Sequence, residues 1–354
     1  MRRKGEPSVE IAGPGTVSLN PDNTYTGGTT LSGGTLVYSG TSHDGASPIG
    51  TGALNITSED AVVSGSGTIA NAISATQIAN FAPEGTIALS GDNDFSTHLY
   101  VFQNTLEVTG GETRSSGGLY LAYPSDRTTG TAHFRQSGGS VTLGENVQLA
   151  YSKGTTSSFT MTGGSFDVGG KNVLVYGNTG NGTSHSTIDI SGDAVMSNID
   201  CLYVHSKNPA DADLSANIHD GGRLGFKQAR HSKTSALATV RLSVDGGTLA
   251  NDNTGAKKAT LLDWISSLGV ASVKVGPKGA TFTTDNGAKA GTAQIARAIT
   301  AEAAEAGVTS GTGNGRFAPN DTCTREQVVT FLYAFKGRPD TSAEVTFPDV
   351  PGNA

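Results

Sequence analysis

Cysteine is almost missing from this chain: its 354 residues include only Cys201 and Cys323. Two thiols so far apart supply neither a disulfide framework nor a four-ligand zinc pattern. Charge is sparse too, at 16% of residues with a net of -7, which excludes a highly charged disordered chain and disfavours non-specific attraction to nucleic acid. Aromatic residues are 6% of the total, with one Trp, and no interleaved basic and aromatic surface suggests a nucleic-acid partner. The most basic segment, Arg223 to Arg241 with Lys227, Arg230 and Lys233, reads as a solvated face. No apolar run approaches the roughly 18 residues of a spanning helix, so no membrane insertion is expected. The opening MRRKGEPSVE is basic but has no apolar core, so no signal peptide is expected here, and export would need an N-terminus ahead of it. The seven His residues lack metal-ligand spacing, and neither a metal nor a cofactor is expected.

Glycine is plentiful, at 49 residues. A Gly-Gly or Gly-Asp doublet recurs at Gly110, Gly138, Gly163, Gly192, Gly221 and Gly246, with spacings of 28, 25, 29, 29 and 25. A second ladder, Tyr123, Tyr151, Tyr176 and His205, keeps step at 28, 25 and 29. Two markers with one irregular spacing indicate a copied unit of about 27 residues, a period typical of solenoids and arrays. Each copy holds an apolar strand such as Asn146 to Ser152, a second such as Ser157 to Gly164, and a third such as Ser165 to Val168. Inward/outward alternation in short runs between Gly, Asn, Asp and Ser is the signature of half-buried strands. The expected fold is mainly β: a single-stranded parallel β-helix of nine or ten rungs, about 27 residues each, with Gly at the corners and Leu, Val and Phe stacked inside. Thr, Ser and Asn are expected to face water.

Two segments resemble known families. Asn23 to Gly40 reads NTYTGGTTLSGGTLVYSG, followed by PIGTGALNIT and SGSGTIAN; in this order they resemble the autotransporter-associated β-strand repeat. That resemblance implies a structural repeat of β-helical surface stalks without catalytic residues, over residues 1–71. The β-helix is expected to continue over 72–285, less regularly between Ala72 and Leu106. TLLDWISSLG places Leu261, Leu262, Trp264, Ile265 and Leu268 at helical spacing, which predicts a helical insertion or cap near 260–269. Ser272 to Val275 and Ala280 to Thr284 are predicted to close the solenoid.

From Thr292 the composition turns Ala-rich and helix-favouring. One helix is predicted up to Gly307, then a loop, then a second helix opening at Thr324, with Gln327 completing a capping box. Ala306-Gly307-Val308, then Gly311, Gly313, Gly315, Phe317 and Pro319, then Thr324, Arg325, Glu326 and Gln327 resemble the S-layer homology motif. The resemblance implies a small α-helical module over 292–346, with 347–354 opening a second motif. It also implies binding of anionic secondary cell-wall polysaccharide through Thr324, Arg325, Glu326 and Gln327, on the surface, wall or S-layer of a Gram-positive-type bacterium. A guanidinium at a helix N-terminus suits that task, since its fork of donors complements a carboxylate. The alternative is a local salt bridge from Arg325 to Glu326 or Asp321. Glu302 departs from the family's usual aromatic, and its Thr-Arg-Ala-Glu reads Thr-Arg-Glu-Gln here.

The resulting expectation is a non-enzymatic, adhesin-like stalk anchored to the wall. A β-helix lyase or glycosidase is the runner-up, because such folds host both. A glycosidase needs two carboxylates across a groove, yet Asp126, Glu145, Asp167, Asp189 and Asp200 are dispersed without a recurring Asp-x-Asp. A third possibility is an adhesin whose Thr/Asn ladder or Tyr-rich face meets a host or matrix glycan or protein.

Overall fold

The structure, a computed structural model, describes residues 6–19, 21–41, 45–123, 130–150, 154–177, 184–206, 212–231, 239–252 and 270–284. The chain divides into two compact units, Met1–Gly291 and Thr292–Ala354, and all described residues lie in the first. The helical segment expected at 260–269 and both expected helices beyond Thr292 fall outside them, and no helix occurs among the described residues.

Each turn of the chain lays down strands on three faces. Glu112–Ser115 lies on the first, Leu119–Leu121 on the second and Thr131–Gln136 on the third. All strands pair in parallel with the turns before and after, which makes a β-solenoid. On the first face the register runs Val9, Thr29, Leu54, Ile73, Asn93, Thr113, Val141, Phe166, Met196, Leu224, Leu249 and Phe282. Subtracting successive numbers gives turns of 20, 25, 19, 20, 20, 28, 25, 30, 28, 25 and 33 residues. The period of about 27 therefore holds from Thr113 to Leu249, while most earlier turns need about 20. Shorter turns raise the first face to twelve stacked strands among the described residues, against the expected nine or ten rungs. Residues 73–113, which look less regular in sequence, are two turns of 20 each.

The difference lies in one connection. In the turn beginning at Asn93, the second-face strand Leu99–Val101 is followed almost at once by the third-face strand Asn104–Val108. In the next turn the chain runs from Leu121 to Thr131 before the third face resumes. The Tyr ladder starts at that longer connection, where Ala122 and Ala150 have left-handed φ of 53° and 48°. The doublet ladder marks the other corner, from third face to first. Its left-handed residues, Gly111, Gly139, Gly164, Gly192, Gly221 and Gly246, have φ between 63° and 100°. Near the end, Val270–Val275 and Ala280–Thr284 extend the third and first faces, as expected.

Alternation along each strand places one file inside. Leu99, Leu119, Val147, Val173, Leu202 and Ala229 stack in register from the second face, and Leu106, Phe134, Phe159, Ile188, Ala216 and Leu242 from the third, all at most 2% exposed. Each Val, Leu, Ile or Phe among them contributes about 1.5–3 kcal/mol by leaving water, and the two Ala less. The expectation that Asn, Ser and Thr all face water is corrected at several positions. Asn93 and Thr113 replace aliphatics in the first-face file, where Asn93 Nδ2 donates to Thr113 Oγ1 at 3.0 Å. Gln136 is 1% exposed, and its Nε2 donates to the carbonyls of Gly138, Gly139 and Ser165 at 3.0–3.2 Å. The corner carbonyls satisfy its amine side, Gly139 O also accepting from the Ser165 amide, while its Oε1 is buried without a partner.

Candidate functional site

Gly311, Gly313, Gly315, Phe317, Pro319, Thr324, Arg325, Glu326 and Gln327 all lie outside the described residues. The solenoid's surface is where side-chain chemistry can be read.

Three of the dispersed carboxylates, Asp167, Asp189 and Asp200, are engaged by neighbouring side chains. Asp126 lies outside the described residues. Asp167 Oδ1 accepts from Asn198 Nδ2 at 2.8 Å and from the Gly169 amide at 2.7 Å, and Asp200 accepts from Gln228 Nε2 at 3.3 Å. Asp189 does approach a second carboxylate, but across an imidazole. His219 Nε2 is 3.1 Å from Asp189 Oδ1, and its Nδ1 is 2.9 Å from Asp220 Oδ2. The gap a glycosidic bond would need is filled by a ring. Asp220 also pairs with Lys278, whose backbone amide donates to Asp245 at 2.6 Å. Among the described residues no group of three or more His, Cys, Asp or Glu could hold a metal ion. The Cys201 thiol is buried and pushed up to about 11 by desolvation, so it is a poor nucleophile at neutral pH.

The His219 cluster, from Asp189 to Lys278, ties four successive turns together and predicts a pH dependence. Hydrogen bonding to Asp220, partly opposed by desolvation and joined by Asp189, raises the His219 pKa above 6.5. Its contribution to stability is thus fully present below pH 6.5 and is lost as pH rises through the higher folded value. The Asp220 pKa is lowered, chiefly by Lys278, so its contribution is lost only as pH falls below 3.8 towards the folded value. Thermal melts across pH 5 to 9 are expected to show a decline on the alkaline side that His219→Gln abolishes; parallel profiles would contradict this role.

The basic segment is only partly a solvated face. Arg230 and Arg241 are exposed, whereas Arg223 forms a partly buried ion pair, with Nη2 2.6 Å from Asp252 Oδ1. Lys233 lies outside the described residues.

The outward file of the second face is the least ordinary surface. In register it reads Thr35, Val62, Asn80, Tyr100, Tyr120, Gln148, Leu174, Tyr203 and Arg230. It points away from the core, yet Val62, Asn80, Tyr120, Gln148 and Leu174 are each 8% exposed or less. A groove of about 710 Å³ opens at its start, lined by Gly33, Thr35, Asp60, Val62, Ser64 and Ala82. Aromatic rings follow. The Tyr123 ring stacks on Tyr100 with centroids 4.7 Å apart, and Tyr100 meets Tyr120 edge-on at 5.0 Å. His98 packs at 5.0 Å from Tyr120 and Phe102 at 6.2 Å from Tyr100. The His98 ring is fixed by Nδ1 accepting from the Gly118 amide at 3.1 Å. Burial, then the neighbouring Tyr123 and Tyr120, push the Tyr100 phenol well above its ordinary value, so it stays a neutral hydroxyl. Tyr123 belongs to the sequence ladder; Tyr100, Tyr120 and His98 do not. Their signal was the aromatic at the polar position of the alternating LYV and LYL strands. Of the other ladder positions, Tyr176 and His205 are strand partners and Tyr151 lies outside the described residues.

The fold and its faces define a repetitive parallel β-solenoid. Two family models match parts of the chain: the Passenger-associated-transport-repeat at residues 12–37 and the S-layer homology domain at residues 301–329. All nine motif residues named above fall within the second match. No curated protein and no solved structure matches the chain. The chain therefore joins a surface-type β repeat to an S-layer homology segment, which implies a cell-surface or cell-wall setting and cell-wall polysaccharide as the carbohydrate partner. No helix among the described residues is long and apolar enough to cross a membrane.

Proposed function

We propose that this chain is a non-catalytic, adhesin-like β-solenoid stalk, held non-covalently to the secondary wall polysaccharide of a Gram-positive-type bacterium by a helical module over 292–346. The joint occurrence of the two family matches in one chain carries this reading. In it the solenoid provides reach, because each turn contacts only its neighbours and length adds without changing the fold. The module provides attachment. Arg325 presents its guanidinium fork to a carboxylate or ketal of the polysaccharide, with Thr324, Glu326 and Gln327 shaping the helix start beside it. Engagement of Asp167, Asp189 and Asp200 with local partners supports a stalk over a lyase or glycosidase.

The test is a pull-down with purified sacculi, before and after chemical removal of the secondary polysaccharide, using this chain extended to three complete motifs. Binding is expected to intact sacculi alone, and Arg325→Ala is expected to weaken it by about tenfold, the usual effect of losing a charge-assisted bidentate contact. Equal retention of the variant would remove Arg325 from the anchoring role.

A further inference from the structure

The patch formed by His98, Tyr100, Phe102, Tyr120 and Tyr123 lies outside the core on the register file of Thr35 and Val62, beginning two turns beyond Val62 of the groove. We propose that this second-face file, from the groove to Gln148, is a binding site for a neutral linear oligosaccharide lying along the solenoid axis.

Four observations select that occupant. The rings are an unusual outward investment for a chain with 6% aromatic residues, and three of them, His98, Tyr100 and Tyr123, remain partly exposed. Aromatic faces with hydroxyl or imidazole edges suit ligands that are apolar on one side and polar on the other, as a pyranose ring is. Secondly, the file is uncharged from Thr35 to Leu174 and the charged residue lining the groove is a carboxylate, Asp60, so the site suits a neutral polyol and offers no cation for an acidic one. Thirdly, amides punctuate it. Asn80 is tied down by Nδ2 donating to the Glu59 and Ala61 carbonyls at 2.6 and 3.0 Å, but the Oε1 of Gln148, beside Tyr120, is buried without a hydrogen-bond partner. Gln148 as a whole is 8% exposed, and a buried acceptor left unpaired costs about 1–3 kcal/mol unless a donor reaches it. A sugar hydroxyl is such a donor. Fourthly, these strands are paired on both sides within the stack, so a peptide has no free strand edge to join. The chain's net charge of -7 opposes nucleic acid. Successive turns repeat every ~4.8 Å, which turns the file into a linear track.

The site is independent of the wall-anchoring residues, so the two readings can fail separately. Full-length protein carrying Arg325→Ala is titrated calorimetrically with neutral linear hexasaccharides of glucose, mannose, galactose and N-acetylglucosamine. At least one is expected to bind in the micromolar to millimolar range. Tyr123→Ala is expected to weaken that binding by about tenfold, as for an aromatic anchor, while Tyr123→Trp retains it because the stacking surface persists. Gln148→Leu is expected to weaken it without altering the circular dichroism. Thr160→Ala, on the third face, is expected to bind like the parent. No binding to any of the sugars, or binding unchanged in both Tyr123→Ala and Gln148→Leu, overturns the proposal. So does sedimentation showing a dimer that Tyr123→Ala dissociates, since a second copy would then be the occupant.

Discussion

Phe159→Ala is expected to destabilise the middle of the solenoid by about 3–5 kcal/mol, the range for deleting a fully buried ring and leaving a cavity. Phe159 is at the centre of an internal aromatic cluster. Its ring stacks on Phe134 at 5.1 Å and meets Phe166 edge-on at 4.8 Å, while Phe134 and Phe166 are 5.6 Å apart. All three are at most 1% exposed. Phe134 and Phe159 are register partners on the third face, and Phe166 follows on the first, so one deletion unsupports two neighbouring turns. In a solenoid the loss should first appear locally, since each turn depends on its neighbours. Amide exchange is expected to accelerate in Thr131–Gln136 and Thr156–Met161 before the urea midpoint of the N-terminal turns moves. A variant with unchanged exchange in those strands would mean that the cluster collapses around the cavity or contributes little.

The second large effect is expected at a corner. Gly139 has φ of 66°, and a Cβ there would lie 2.5 Å from the Gly111 carbonyl oxygen and 2.7 Å from the Gly110 carbonyl. Both obstacles are backbone of the preceding turn and cannot rotate away. Gly139→Ala therefore combines left-handed strain, about 1–3 kcal/mol, with a steric clash that must separate two stacked turns. Gly130 serves as the comparison: its φ is 100°, and an added Cβ would meet nothing within 4 Å. Gly130→Ala should show conformational strain alone. The difference between the two measured by urea denaturation isolates the stacking contribution, expected to be about 2 kcal/mol or more on the scale of overpacked sites. Equal losses would show that corner glycines serve only backbone conformation.

These corners explain how much of the fold could be read in advance. The doublet is a chemical necessity wherever a strand must turn under a neighbouring turn's carbonyl, so glycine recurs with the period of the chain's own path. That made the turns from Thr113 to Leu249 legible. The shorter period of the earlier turns is not legible because Asn93 and Thr113 stand where an aliphatic is expected, and because Ala79–Leu89 passes from second face to third without the connection that the Tyr ladder marks. A hydrogen-bonded Asn inside a solenoid has no local sequence signature, since its partners sit a turn away. The candidate carbohydrate track was hidden for the same reason. Tyr100, Tyr120 and Tyr123 occupy two different turns, and only Tyr123 belongs to a repeating pattern.

The sequence by itself determined that the chain is a Gly-cornered repetitive β structure with an S-layer homology segment, because corner conformation and alternation are local demands and the segment's motif residues are written close together in the chain. Tertiary structure alone decided the turn lengths, the polar residues admitted to the core, the imidazole closing the gap between Asp189 and Asp220, and the rings gathered on one outer face. Those depend on register between strands about 20 or 27 residues apart, and register is set by how whole turns stack.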